Sequence, residues 1–356
     1  MRAFAVLLAF ACAIVFAAAA VDAAAATPGA AQSAPAPLPP TLSATGLFAP
    51  GTPSTVRADV IAFSPQYPLW SDGTRKRRWI ALPPGMAIDA SQPDAWVFPP
   101  GTRLWKEFAF ERRIETRYVE RLADGRWRFA SYVWRADGSD ADLAPDGGAV
   151  VAAAGAPGGR YAVPSRTDCL ACHEGAEVPV LGFSALQLSP DRDPLAPHAE
   201  PARSDVADLR SLAARGLLAN LPPALLATPP RIDARSPVER AALGYLHGNC
   251  GHCHNAAGAL DGLEMVLAQQ ADPQARSVEQ TLQSLLGHSS RFRPQGAAAA
   301  QRIARDGATH MLTLRMKSAS PLARMPPLGV QVIDEEGVAL VERWITQDLT
   351  PVRRTP

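Results

Sequence analysis

The sequence predicts an α+β fold of more than one domain, an N-terminal antiparallel β-rich domain followed by mostly α-helical domains. Three observations predict it. Six of the seven tryptophans, Trp70, Trp79, Trp96, Trp105, Trp127 and Trp134, fall in one stretch of the chain. In that stretch, short aromatic and β-branched runs are separated by turn signals. Helix-start and helix-stop residues mark the remainder of the chain. The length, 356 residues, is also long for a single core.

The first residues read as a secretory signal, residues 1–23. Arg2 gives a short positive start, Phe4 to Phe16 an apolar run, and Ala17 to Ala20 with Val21-Asp22-Ala23 small residues for cleavage. An uncleaved anchor would need about 20 strongly apolar residues, and the stretch from Ala3 to Ala20 is half alanine. The cut is expected between residues 20 and 26. It removes Cys12 and leaves four cysteines on an exported, periplasmic chain. Residues 24–41 are an Ala/Pro-rich linker.

Residues 42–164 are the expected β-rich domain. Arg78 to Leu82 ends at Pro83-Pro84-Gly85, and Trp96-Val97-Phe98 ends at Pro99-Pro100-Gly101. Leu104 to Phe110 alternates in part. Thr116 to Leu122 reaches the hairpin signal Ala123-Asp124-Gly125, and Trp127 to Trp134 alternates up to Asp137-Gly138.

Residues 165–232 hold Cys169-Leu170-Ala171-Cys172-His173, a polar Pro/Asp-rich loop, and a helix predicted over 205–215 with Gly216 as its C′ residue. Residues 233–356 open on a capping box, with Ser236 at the N-cap, Pro237 at the first helical position and Glu239 three residues after the cap. That helix should deliver Cys250-Gly251-His252-Cys253-His254 at its end. Met311 to Met316 reads as helix. The tract closes on an amphipathic helix over 334–345, with acidic residues at its start.

Cys-x-x-Cys-His is a haem-attachment pattern. Two intervening residues set both sulfurs against the vinyl groups on one side of a porphyrin, and the histidine supplies the proximal nitrogen to iron. The helical part is therefore expected to be of c-type cytochrome kind. Cys169, Cys172 and His173 would bind one haem, and Cys250, Cys253 and His254 the other. Two disulfides or a four-cysteine zinc site would also use four cysteines, but either leaves both trailing histidines without a role.

A c-type iron commonly takes a methionine as second axial ligand. Met325, in Arg324-Met325-Pro326-Pro327, is the candidate for the second haem, because two prolines stiffen the loop that presents it. The alternative is a methionine that fills a gap in the core, the reading given to Met311 and Met316. Residues 165–232 contain no methionine, so the first haem has only His198 as a local candidate. Met86, His247, His288 and His310 are remote ones, His198 could equally be a solvated loop residue, and an open site is a further alternative.

Net charge is +1, so nothing points to nucleic acid. The run Arg75-Lys76-Arg77-Arg78 is read as a solvated strand face, with haem propionates or an acidic redox partner as the alternative.

These residues carry a resemblance. The C-terminal tract resembles a class I cytochrome c domain, through the helix that ends in the second motif, the Met325-Pro326-Pro327 loop and the last helix with Trp344. The chain after the leader resembles bacterial diheme c-type cytochromes with an N-terminal β-rich tract. The matching segments are Leu42 to Phe48, Tyr67 to Gly73, Phe98 to Thr102, Glu115-Thr116-Arg117 and both haem motifs. The resemblance implies two c-type haems and electron transfer to a periplasmic or membrane-bound redox partner. The rival expectations are a diheme peroxidase or a small-molecule dehydrogenase or oxidase with an open first haem, and a haem-based sensor.

Overall fold

The computed structural model describes residues 36–201, 203–294, 300–305 and 309–349. The expected leader and most of the linker lie outside the described residues. Among the described residues there are ten strands: β1 (Ile61–Phe63), β2 (Arg75–Ala81), β3 (Ile88–Asp89), β4 (Arg103–Ala109), β5 (Arg113–Arg121), β6 (Trp127–Trp134), β7 (Ala141–Leu143), β8 (Ala149–Ala152), β9 (Arg160–Val163) and β10 (Leu218–Ala219). The helices are α1 (Arg166–His173), α2 (Leu209–Ala214), α3 (Ala224–Ala227), α4 (Pro237–Asn249), α5 (Ser277–Leu285), α6 (Met311–Met316) and α7 (Glu335–Trp344).

Six strands form one antiparallel sheet in the order β1-β2-β4-β5-β6-β7. Strand alternation sorts its residues onto two faces. On one face Trp79, Trp105, Tyr118 and Ala130 lie in register across four strands. They are covered by Leu42, Leu47 and Phe48 from the chain ahead of β1. On the other face Ile80 and Leu104 join a core that also contains Leu186, Leu209, Leu243 and Trp344. β3 pairs in parallel with β10, and β8 with β9 forms a separate hairpin.

α4 begins as its sequence dictates. The Glu239 backbone N–H donates to Ser236 Oγ at 3.0 Å, with Pro237 at the first helical position. The Glu239 carboxylate reaches past the cap and accepts from the Arg235 N–H at 3.0 Å. It also accepts from Trp344 Nε1 on α7 at 3.1 Å. α7 crosses α4 where Gly337 meets the Tyr245 ring.

The fold class expected from the sequence needs correcting. The second half is not a mostly α-helical cytochrome domain, and the largest element of the chain is the six-stranded sheet. Among the described residues only α4 exceeds ten residues. Long stretches around residues 174–208 and 250–276 run as turns and irregular backbone. One hydrophobic cluster draws on residues from all three tracts, and the chain from Leu38 on clusters as one unit. The cause is a non-local insertion. Tyr67, which precedes β2, lies against Gly244 and Gly248 of α4, where a Cβ would fall 2.0 Å from the ring and 2.4 Å from the Tyr67 carbonyl oxygen. Helical periodicity fixes a helix face, but it does not say which distant segment covers it. No described helix is long and apolar enough to cross a membrane.

Candidate functional site

The first motif is α1 itself. Ser165 ends the extended chain after β9 and caps α1 reciprocally. Its hydroxyl accepts from the Asp168 N–H at 3.1 Å, and Asp168 Oδ2 accepts from the Ser165 N–H at 2.9 Å. One helical turn then carries Cys169, Cys172 and His173. His173 Nδ1 lies 2.7 Å from the Pro179 carbonyl oxygen. A carbonyl only accepts, so Nδ1 carries the proton and Nε2 presents a lone pair. The imidazole stacks at 4.7 Å from the Phe129 ring on β6. Burial pushes His173 down to about 4, the Pro179 bond opposes this, and Lys106 and Arg117 add to it. The ring is neutral at ordinary pH, the form that ligates metal.

The second motif leaves α4 as a tight turn. The N–H groups of Cys253 and His254 both donate to the Cys250 carbonyl, at 3.1 and 2.8 Å. A Cβ at Gly251 would fall 2.8 Å from the His247 carbonyl oxygen and 3.0 Å from Ala268 Cα, so only glycine fits between the cysteines. His254 is 9% exposed, and its buried Nδ1 has no hydrogen-bond partner. Burial, with Arg315 next in effect, pushes it down to about 4. This imidazole too is neutral.

The two motifs abut. Asn255 Nδ2 donates to the Gly175 carbonyl at 2.8 Å and to the Gly251 carbonyl at 3.0 Å. Cys253 Sγ lies 3.9 Å from the Ala171 carbonyl oxygen, and the Cys253 thiol together with burial pushes the Cys172 thiol up to about 12. A Cβ at Gly175 would fall 2.9 Å from the His252 carbonyl oxygen. A cleft of about 210 Å³ opens beside them, lined by Trp96, Phe183, His247, His252 and Gln269 among others.

Met325 is half-buried. Its backbone N–H donates to the Arg315 carbonyl at the end of α6, at 3.0 Å. It lines a small cavity with Met316 and with Tyr245 and Asn249, the turn of α4 just ahead of Cys250. The structure thus brings Met325 and the second motif to the same helix. Met311 and Met316 are buried, as expected of packing residues. His198 is engaged elsewhere: Nε2 lies 2.8 Å from Asp334 Oδ1, Nδ1 3.5 Å from Glu336 Oε2, and its ring 4.6 Å from Trp70. It ties its loop to the N-terminus of α7. Met86, a remote candidate, is 48% exposed.

Sequence reasoning missed a row of charges on the sheet face that carries Phe129. Arg78, Lys106, Arg117 and Ser131 are in register across β2, β4, β5 and β6, with Lys76 two residues away from Arg78 on the same face. Arg78 pairs with Glu200 at 2.7 Å, and Arg117 with the fully buried Glu115 at 2.9 Å. Glu115 also accepts from Ser131 and Tyr161. The signal was present: Lys106 stands between Leu104 and Phe108 at period two, a charge on an apolar face.

The donor set fits haem. The four cysteines among the described residues are free thiols, and both trailing imidazoles are neutral with a ring nitrogen available. Arg78 Nη2 is buried without a partner, on the sheet face that also carries Phe129. Among the described residues no group of three or more His, Cys, Asp or Glu side chains converges as metal ligands, so the thiols are not gathered as a four-cysteine zinc site would gather them. No protein-family model, curated protein or solved structure matches the chain.

Proposed function

We propose that this protein is an exported, periplasmic diheme c-type cytochrome that passes electrons to a periplasmic or membrane-bound redox partner. The observation that carries the reading is the pair of abutting Cys-x-x-Cys-His motifs, each ending in a neutral imidazole. When bound, each haem supplies reversible one-electron exchange between ferric and ferrous iron.

The chain's own residues account for the rest. Cys169, Cys172, Cys250 and Cys253 would supply the thioether sulfurs that hold each haem, and His173 and His254 the nitrogen ligands. The Pro179 carbonyl fixes the His173 tautomer and ring direction, the usual office of a partner behind a ligating histidine. Met325 would supply a thioether to the group held by the second motif. The contact through Asn255 and Gly175 would hold the two groups next to each other.

Mass spectrometry of the mature protein, made in a host that attaches haem covalently, tests the proposal. Two haems per chain are expected, resistant to acidic organic extraction, on a chain that starts between residues 20 and 26. Fewer than two haems, or haem that extracts, would overturn it.

A further inference from the structure

The cleft beside the two motifs is separate from the groups that would hold haem. None of the four cysteines, nor His173 or His254, lines it. Its walls come from Trp96 and Phe183, from His247 on α4, and from the chain that follows each motif. Trp96 and Phe183 meet edge to face, with ring centroids 5.8 Å apart. At about 210 Å³ the cleft is smaller than the roughly 300–1,000 Å³ that a drug-sized molecule needs, so it suits a single ring.

Two donors on these walls have nothing to give to. Trp96 is 3% exposed, and its indole Nε1 is buried without a partner, which a core indole ordinarily avoids. His247 is set by its neighbour: the Gln269 backbone N–H donates to Nδ1 at 3.0 Å. Nδ1 therefore presents a lone pair, and the ring proton sits on Nε2. Among the described residues nothing accepts from that Nε2. The buried amides of the wall are already occupied. Gln269 bridges Thr281 and Ser277, and Gln187 holds the Tyr67 backbone.

Charge selects among the acceptors that could meet them. A carboxylate or phosphate accepts hydrogen bonds well, but no lysine or arginine lines the cleft, whereas Asp94 and Glu177 do. Asp94 is held in place by the N–H groups of Ala271 and Asp272, at 2.7 and 3.2 Å. An anion would meet like charge and no counter-charge. A carbonyl oxygen accepts without bringing a charge, and a ring that bears one can pack against Trp96 and Phe183. We infer that the cleft is a binding site for an uncharged compound with one aromatic ring and a carbonyl oxygen, which accepts from Trp96 Nε1 and His247 Nε2. The site is built from protein alone, so the inference stands apart from the diheme reading.

Calorimetric titration of the mature full-length protein with three probes of similar shape tests it. Acetophenone carries the carbonyl, ethylbenzene lacks it, and benzoate replaces it with a charge. Acetophenone should bind about tenfold more tightly than ethylbenzene, the worth of one or two hydrogen bonds, and benzoate should not compete with it. Trp96→Phe keeps a ring and removes the N–H. It should weaken acetophenone binding several-fold and leave ethylbenzene unchanged. His247→Phe removes the other donor and should act in the same way, which keeps the test available if Trp96→Phe does not fold by circular dichroism. Wild-type protein that does not bind acetophenone, that binds ethylbenzene equally well, or that prefers benzoate would overturn the inference. So would acetophenone affinity that is unchanged in the folded variants.

Discussion

Replacing Gly337 by alanine sets two forces against each other at the crossing of α4 and α7. Gly337 is the third residue of α7, and its N–H donates to the Asp334 N-cap at 3.0 Å. Helix propensity alone makes alanine better than glycine by about 1 kcal/mol. The crossing opposes this. A Cβ at residue 337 would fall 2.3 Å from Tyr245 Cζ and 2.4 Å from its hydroxyl oxygen, where ordinary contact begins at 3.4 Å. The overlap is therefore about 1 Å, and Tyr245, 6% exposed on the interior of α4, has little room to turn. Overpacking of this kind costs about 1–3 kcal/mol. At the upper end the net loss is about 2 kcal/mol, a fall in Tm of about 3 °C for a chain of this size. Urea denaturation of the holoprotein measures it. Tyr245→Ala should abolish the penalty, with a coupling energy of about 1–2 kcal/mol in the double-mutant cycle. A Gly337→Ala protein as stable as wild type, or more so, would falsify the close crossing.

Met325→Ala should remove the sulfur-to-iron absorption band of the second haem, and Met325→His should keep that iron six-coordinate at a lower potential, read by redox titration. Burial, with His252 second, holds His247 at about 4 against the usual 6.5. Its folded value is depressed, so stability is full above pH 6.5 and is lost as pH falls towards 4. The loss at pH 5 should be up to about 2 kcal/mol. His247→Gln should remove that share of the pH dependence, and denaturation midpoints at pH 7.5 and 5 that shift equally in both proteins would exclude it. Trp344→Phe strips the indole donor from the fully buried Glu239. It should cost about 1–3 kcal/mol in chemical denaturation.

Local chemistry made much of this chain legible. The Trp127 to Trp134 alternation is β6 in full, and the capping residues at Ser236 place the start of α4 correctly. Met311 to Met316 is α6, and Gly216 takes its left-handed φ of 68° after α2. Trp96-Val97-Phe98 alternates without being a strand. Trp96 and Phe98 are buried on either side of an exposed Val97, but only one bridge, Val97 to Asp89, supports the backbone. The predicted helix over 205–215 starts late, at Leu209, because Asp208 and Ser211 cap each other reciprocally. The features hidden from the sequence were long-range. Gly244 and Gly248 leave α4 a space that Tyr67, more than 170 residues earlier in the chain, fills. At the candidate site the cysteines and histidines were legible from spacing, because one turn of backbone carries each motif. Lys106 was not, since its environment is assembled from three other strands.

The abutting motifs also bear on the order of assembly that the proposed function would require. In the folded chain Cys253 Sγ lies 3.9 Å from the Ala171 carbonyl oxygen, and Asn255 closes the seam against Gly175. Each motif covers part of the other's approach. On the proposed function, an attachment enzyme would have to reach each sulfur before this seam forms, and a chain that closed the seam first would be a poor substrate for it.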